Sequence, residues 1–401
     1  METSLSGEAV PGDYEAPEII RRMLTTTSAL LSCFSSEQRS QAWFPLGLPE
    51  RRDWDFVPKP DRLGVPLSAM DRHQRGLAHT LVGAGLSMQG YTMALSIMAM
   101  ENVLRELGAG RLGLAVADAR NPDQYFFSIF GRPSHEDTWG WRVIGHHLSL
   151  NYTIIDQRYL TVTPCNMGSQ PAAAGVLAPL GHDDALGFDL LDSFSPAQRS
   201  QVVIHDVAPP DFVTRQVPMI GKVEYPDYWD LGIPSYVISD EDREALKFEK
   251  ERPRGIAASD MSDNQAELFW SLVASHLNRM PGEIADKQMD RLRSDGADRI
   301  FFCWAGGTRR GTSHYYRMQS QHLLFEFDNA IDNGNHIHSM WRDYRNDFGN
   351  ELLLDHYERE RRTGHHLKSR LTSSVPDDEI PIASAASDTT AVGEPGQLDR
   401  P

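Results

Sequence analysis

Histidine is the commonest protein ligand for transition metals, and this chain sets several histidines in short β-like runs. Side chains on a strand alternate faces, so residues two apart point the same way. In NHIHSMWRD, His336 and His338 share one face, while Ile337, Ser339 and Trp341 share the other. An H-x-H pair of this kind can present two imidazoles to one ion. In HLLFEFDN, His322, Leu324, Glu326 and Asp328 fall on one face, opposite Leu323, Phe325 and Phe327. The short link AIDNG predicts a hairpin that brings Glu326 near the H-x-H pair.

WRVIGHHLSLNYTII is the best strand candidate of the chain. Read as one strand, it places His147, Ser149 and Asn151 on one face and His146 among Ile144, Leu148 and Leu150 on the other. Three polar side chains in a row on a buried-looking strand cost free energy unless something bonds them. His147 is therefore the better ligand on pattern. The expected metal set is His147, Glu326, His336 and His338, with Glu326 and His147 also the candidates for catalysis. His146, Asn151, Asp328 and Arg342 are the expected supporting residues, because ligating histidines usually have their other ring nitrogen hydrogen-bonded. Trp141, Ser149, Tyr316 and Trp341 are the expected walls of a substrate pocket. A single strand histidine is more often a satisfied core residue; the combination of HH, Glu and H-x-H on three strands carries the metal reading.

Three histidines and a glutamate are similar to the ligand set of cupin-type oxygenases, a likeness of ligands and not of fold. The first expectation is thus a metal-dependent oxidoreductase acting on a small molecule through iron, copper or another divalent transition metal. The alternative is a zinc-dependent hydrolase, in which Glu326 is the general base for a zinc-bound water. The third is a binding protein without catalysis.

The elements that must position these residues come in blocks. Residues 14–40 show apolar spacing of a helix, Ser68 is a candidate cap for a second helix to about Val82, and Thr92–Leu107 reads as a third. Further helices are expected near 181–204, from Asn264 to Met280, from Pro281 to Leu292 and near Glu351–Arg361. Residues 206–260 read as a long irregular excursion over a site. Strand-like runs gather in 125–163 and 299–342 without β-α alternation, which predicts an α+β fold: a mostly antiparallel sheet packed by N-terminal and central helices. The expected organisation is a flexible leader over 1–13, one globular domain over 14–362 (helical over 14–110, β-rich over 121–362) and a disordered tail over 363–401. No internal repeat is evident.

The chain has 401 residues and a formal net charge of −17. Acidity of that size disfavours nucleic acid as a partner. The cysteines Cys33, Cys165 and Cys303 form no disulfide or zinc-ribbon spacing. METSLSGEAVPGDYEAPE lacks the apolar core of a secretory signal, and no stretch is long and apolar enough for a membrane span, so a cytoplasmic location is expected.

WGWRVIGHHLSLNYT, TPCNMGSQPA, HYYRMQSQHLLFEFDN and NHIHSMWRDYRNDFG resemble the family called domain of unknown function 3500, from about Trp43 to Tyr357. The resemblance implies no reaction and assigns no catalytic residue.

Overall fold

A computed structural model describes residues 11–59, 61–109, 120–221 and 238–363. The expected leader lies outside the described residues up to residue 10, and the expected tail from residue 364 onward. At the end of the expected leader, Pro11–Tyr14 form a 3-10 turn, and Tyr14 donates to Asp343 Oδ2 at 2.5 Å.

Thirteen strands, counted among the described residues, form one mixed, mostly antiparallel sheet. They are β1 (Trp43–Phe44), β2 (Val65–Pro66), β3 (Phe126–Gly131), β4 (Trp139–Gly145), β5 (Leu148–Ile155), β6 (Tyr159–Thr161) and β7 (Cys165–Ser169), then β8 (Val203–His205), β9 (Ile256–Ala257), β10 (Phe301–Gly306), β11 (His314–Gln319), β12 (Leu323–Ile331) and β13 (His336–Asp343). The architecture is α+β, as the runs of strands foretold. The spatial order is β1-β3-β4-β5-β7-β13-β12-β11-β10-β8, with β2 on β3, β6 on β5 and β9 on β10. That order reads the same from either edge once β8–β13 are matched to β1–β7.

The symmetry overturns the expectation of no repeat. Helices Pro17–Cys33 and Ser36–Ala42 precede β1, and Gly181–Ser193 and Pro196–Val202 precede β8. Helices Arg72–Gly85 and Met88–Ala109 precede β3, as Asp263–Leu277 and Gly282–Asp295 precede β10. Short sequences answer one another: FSSEQRSQ (34–41) and FSPAQRSQ (194–201), YFFSIFG (125–131) and IFFCWAG (300–306). Physical details match too. Ser35–Gln38 and Ser195–Gln198 are both capping boxes. Gln38 Nε2 donates to Ala69 O at 2.8 Å, and Gln198 Nε2 to Asp260 O at 3.2 Å. At the centre β7 pairs antiparallel with β13, so the two halves meet along those strands.

One sheet face packs against the helices and carries the main core, including Trp141, Tyr316, Phe325 and Trp341. The other is covered by connections, through Trp54, Phe56, Phe212, Val213, Phe248 and Phe348. Asp71, not Ser68, caps the helix Arg72–Gly85, with Gln74 completing the box. Ser68 lies in the preceding 3-10 turn.

Candidate metal centre

The run expected to be one strand is two. Gly145 pairs with Leu148, and His146–His147 form the tight turn between β4 and β5. Nothing in GHHL carries the usual Asn-Gly signal of such a turn, and His147 adopts φ +63°, a left-handed value that costs a bulky residue free energy. Two hydrogen bonds hold it there: His147 N donates to Phe56 O at 3.0 Å and Gly168 N to His147 O at 2.7 Å. The turn sets the imidazole at the end of the sheet, where the halves meet.

His336 and His338 come to the same place from β13. His147 Nε2 lies 2.9 Å from His336 Nε2. The ring centroids of His336 and His338 are 4.7 Å apart, and those of His147 and His338 5.4 Å. One ligand atom from each histidine lies within 4.8 Å of the others. Gly168 permits this approach: a Cβ there would stand 2.9 Å from the His338 ring, 3.2 Å from the His147 ring and 2.8 Å from Ile337 O.

The opposite ring nitrogens look at carboxylates. His338 Nδ1 is 3.2 Å from Asp211 Oδ1 and 3.8 Å from Asp328 Oδ2. Glu101 Oε1 is 2.7 Å from His146 Nδ1 and 3.7 Å from His147 Nδ1. The His146 and His147 rings stack with centroids 3.7 Å apart. Burial first, and then the neighbouring imidazoles, hold His147 and His336 well below the usual histidine range, so both are neutral and present lone pairs. Asp211 is held well below the ordinary carboxylate range by Arg215, 2.9 Å away, against its own burial, while burial and the Asp211 charge push Asp328 well above it. His336 Nδ1, Glu101 Oε2 and Asp328 Oδ2 are buried without a hydrogen-bond partner, which is costly unless a ligand or water meets them.

Glu326 is not in this group. Across the β12–β13 hairpin it faces Met340, and Asp328 is the residue opposite His338. Its carboxylate accepts from Val213 N at 2.8 Å, Tyr315 OH at 2.7 Å and the Thr214 hydroxyl, and so ties residues 213–214 to the sheet. Arg342 does not touch the histidines either. It bonds the Asp347 carboxylate and donates to Val217 O at 2.8 Å, pinning the same covering segment that carries Asp211. Asn151 donates to Ser149 Oγ at 3.2 Å and Pro164 O at 2.9 Å, while its own Oδ1 is buried without a hydrogen-bond partner, and neither residue is among the grouped histidines and carboxylates. Trp141, Tyr316 and Trp341 pack on the helix face: Trp141 stacks on Tyr152 at 4.2 Å, the Tyr316 hydroxyl lies 3.2 Å from His276 Nε2, and Trp341 sits against Phe325. They belong to the core, across the sheet from the imidazoles.

Two partners escaped the sequence reading. Asp211 comes from the excursion between β8 and β9, part of which (222–237) lies outside the described residues; no local signal marks it. Glu101 had one: it follows an uncharged Ala- and Met-rich stretch over Met88–Met100 and is 1% exposed, and such a charge needs a partner.

The molecule is thus an α+β protein with buried His, Glu and Asp groups that could bind a metal. Among the described residues, no helix is long and apolar enough to cross a membrane. The chain belongs to the family described as "Protein of unknown function (DUF3500)", whose match covers residues 16–350. Comparison with curated proteins and with solved structures finds no significant match.

Proposed function

We propose that the protein is a metal-dependent enzyme in which His147, His336 and His338 hold one divalent transition-metal ion and a small molecule takes a coordination position they leave open. The observation that carries this reading is the orientation of the rings. Two Nε2 atoms meet at 2.9 Å, while Nδ1 atoms on the far sides turn to Asp211 and Glu101. Carboxylates behind ligating histidines fix their tautomer and raise their basicity.

Ligands at ~2.0–2.1 Å from an ion lie about 2.9 Å apart at a right angle and about 3.3 Å apart at the tetrahedral angle. Side chains that move by a few tenths of an ångström reach either arrangement, and a redox-active ion such as iron or copper suits three imidazoles with an open position, so oxidoreductase chemistry is the first reading. Three ligands also suit a working site better than a closed storage site. Hydrolysis with Glu326 as base is the weaker reading, since three donors already engage that carboxylate. The bound ion would supply activation of a small-molecule ligand. The chain would supply the neutral imidazoles, their fixed tautomers and a buried setting.

Elemental analysis of purified protein tests this. About one equivalent of metal per chain is expected, with an absorption spectrum if it is iron or copper. His336→Ala should abolish the metal and Glu326→Gln should keep it. Full metal content in His336→Ala would overturn the assignment.

A further inference from the structure

The duplicated architecture exposes a charge that the metal reading leaves unexplained. In the second half, the segment DGADRIFFCWAG carries Asp295, whose Oδ1 lies 3.2 Å from Nε2 of His322, the residue that matches His147. In the first half, RNPDQYFFSIFG puts Arg120 at the Asp295 position. The two segments share their local bonds. Gln124 N donates to Asn121 O at 2.9 Å, and Arg299 N to Gly296 O at 3.1 Å. Leu67 N donates to Tyr125 O at 3.1 Å, and Ala258 N to Ile300 O at 2.9 Å. Tyr125 then fastens the segment to the histidine turn by donating to His146 O at 3.0 Å.

A carboxylate beside an imidazole attracts its N–H; a guanidinium beside one does not. Arg120 is nonetheless half-buried, and its Nε is shut from water with no hydrogen-bond partner. Its charge is felt at both His147 and His336. Several buried arginines have an anion: Arg215 has Asp211 at 2.9 Å, Arg279 has Asp183 at 3.1 Å and Arg291 has Asp343 at 3.3 Å. Arg51 and Arg142 bond neutral oxygens instead, and Arg317 lies over the Phe248 ring. Among the described residues Arg120 has no such anion. Of the carboxylates beside the histidines, Asp211 is bonded to Arg215 and His338, and Glu101 to His146 through one oxygen. His336 is the one histidine of the three that is not fully enclosed.

We infer that Arg120 anchors an oxyanion of the substrate, so that the site takes a small molecule bearing a carboxylate or phosphate group. This rests on the metal reading above. The planar fork of a guanidinium matches either group through paired N–H donors, and the ion supplies a second positive centre for the same ligand.

Calorimetry on the metal-loaded protein with acetate, inorganic phosphate and neutral acetamide tests it. At least one anion should bind, with acetamide at least about tenfold weaker, a difference of about 1.4 kcal/mol. Arg120→Gln should lose about tenfold or more in anion affinity while keeping its metal content and melting temperature, and Arg120→Lys should restore part of the affinity. The two anions decide between a carboxylate and a phosphate. Equal anion affinity in Arg120→Gln, equal binding of acetamide, or a metal-replete protein that binds neither anion would overturn the inference while sparing the metal site. A wild-type chain that takes up no metal would overturn both, and elemental analysis tells the cases apart.

Discussion

The two halves build the same corner twice and fill it differently. In the first corner His147, on the turn between β4 and β5, meets His336 and His338. In the second, His322 precedes β12, and the positions matching His336 and His338 are Tyr159 and Thr161 on β6. The backbone agrees closely: Gly168 N donates to His147 O at 2.7 Å, and Tyr344 N to His322 O at 3.0 Å. Left-handed residues also recur, Asp156 and Gln157 in one hairpin and Asp332 and Asn333 in the other. The contents diverge. Where corner one has Gly168 and room for three rings, corner two has Tyr344. There the turn Pro11–Tyr14 packs in, with Tyr14, Arg291 and Asp343 bonded together. One scaffold thus yields a cluster of three facing imidazoles and a cluster whose charges pair with one another, His322 with Asp295 and Arg291 with Asp343, and each keeps buried polar atoms without a hydrogen-bond partner. The first arrangement is that of the proposed metal site, and the second is that of a structural joint.

Breaking the joint should give the largest effect on stability. Asp343→Ala leaves the buried Arg291 without its nearest carboxylate and Tyr14 without an acceptor. A loss of about 3–5 kcal/mol is expected in chemical denaturation, with metal content per folded chain unchanged. A loss below about 1 kcal/mol, or a parallel loss of metal, would blur the comparison.

Asp211→Asn acts on the other corner. It weakens the carboxylate behind His338, and a fall of about 10–100-fold in metal affinity is expected in competition with a chelator. Because Arg215 also loses its charge partner, some stability falls as well; unchanged metal affinity would remove Asp211 from the site.

The smallest effect is in the pH dependence of the metal-free protein. Burial and neighbouring imidazoles keep His147 and His336 neutral in the folded state, well below the usual range. The unfolded chain protonates them as pH falls through about 6.5. The unfolded state then binds more protons, so stability is full above that pH and declines below it, until the folded values are reached. The slope is at most about 1.4 kcal/mol per pH unit for each histidine. His147→Gln and His336→Gln should each flatten it; slopes identical to wild type would contradict buried neutral imidazoles there.

Much of this was legible in advance, and the failures have physical causes. The hairpin of β12 and β13 followed from a short polar link between alternating runs, and the H-x-H pair from strand parity. Register did not follow: the irregularity between Asp328 and Ile331 sets Asp328, not Glu326, opposite His338. The His146–His147 turn was hidden because it uses no glycine or asparagine. The duplication was hidden because its matching segments are short and unequally spaced: β1 and β2 are separated by 20 residues (45–64), β8 and β9 by 50 (206–255). Asp211 and Glu101 reach the histidines from distant elements, and only the fold brings them there.

The central claim is that one of two equivalent corners binds metal. Elemental analysis of His147→Ala beside His322→Ala tests it most directly, because the two substitutions are matched in position and chemistry. His147→Ala should lose its metal, and His322→Ala should keep about one equivalent per chain. Full metal content in His147→Ala, or equal loss in both variants, would contradict it.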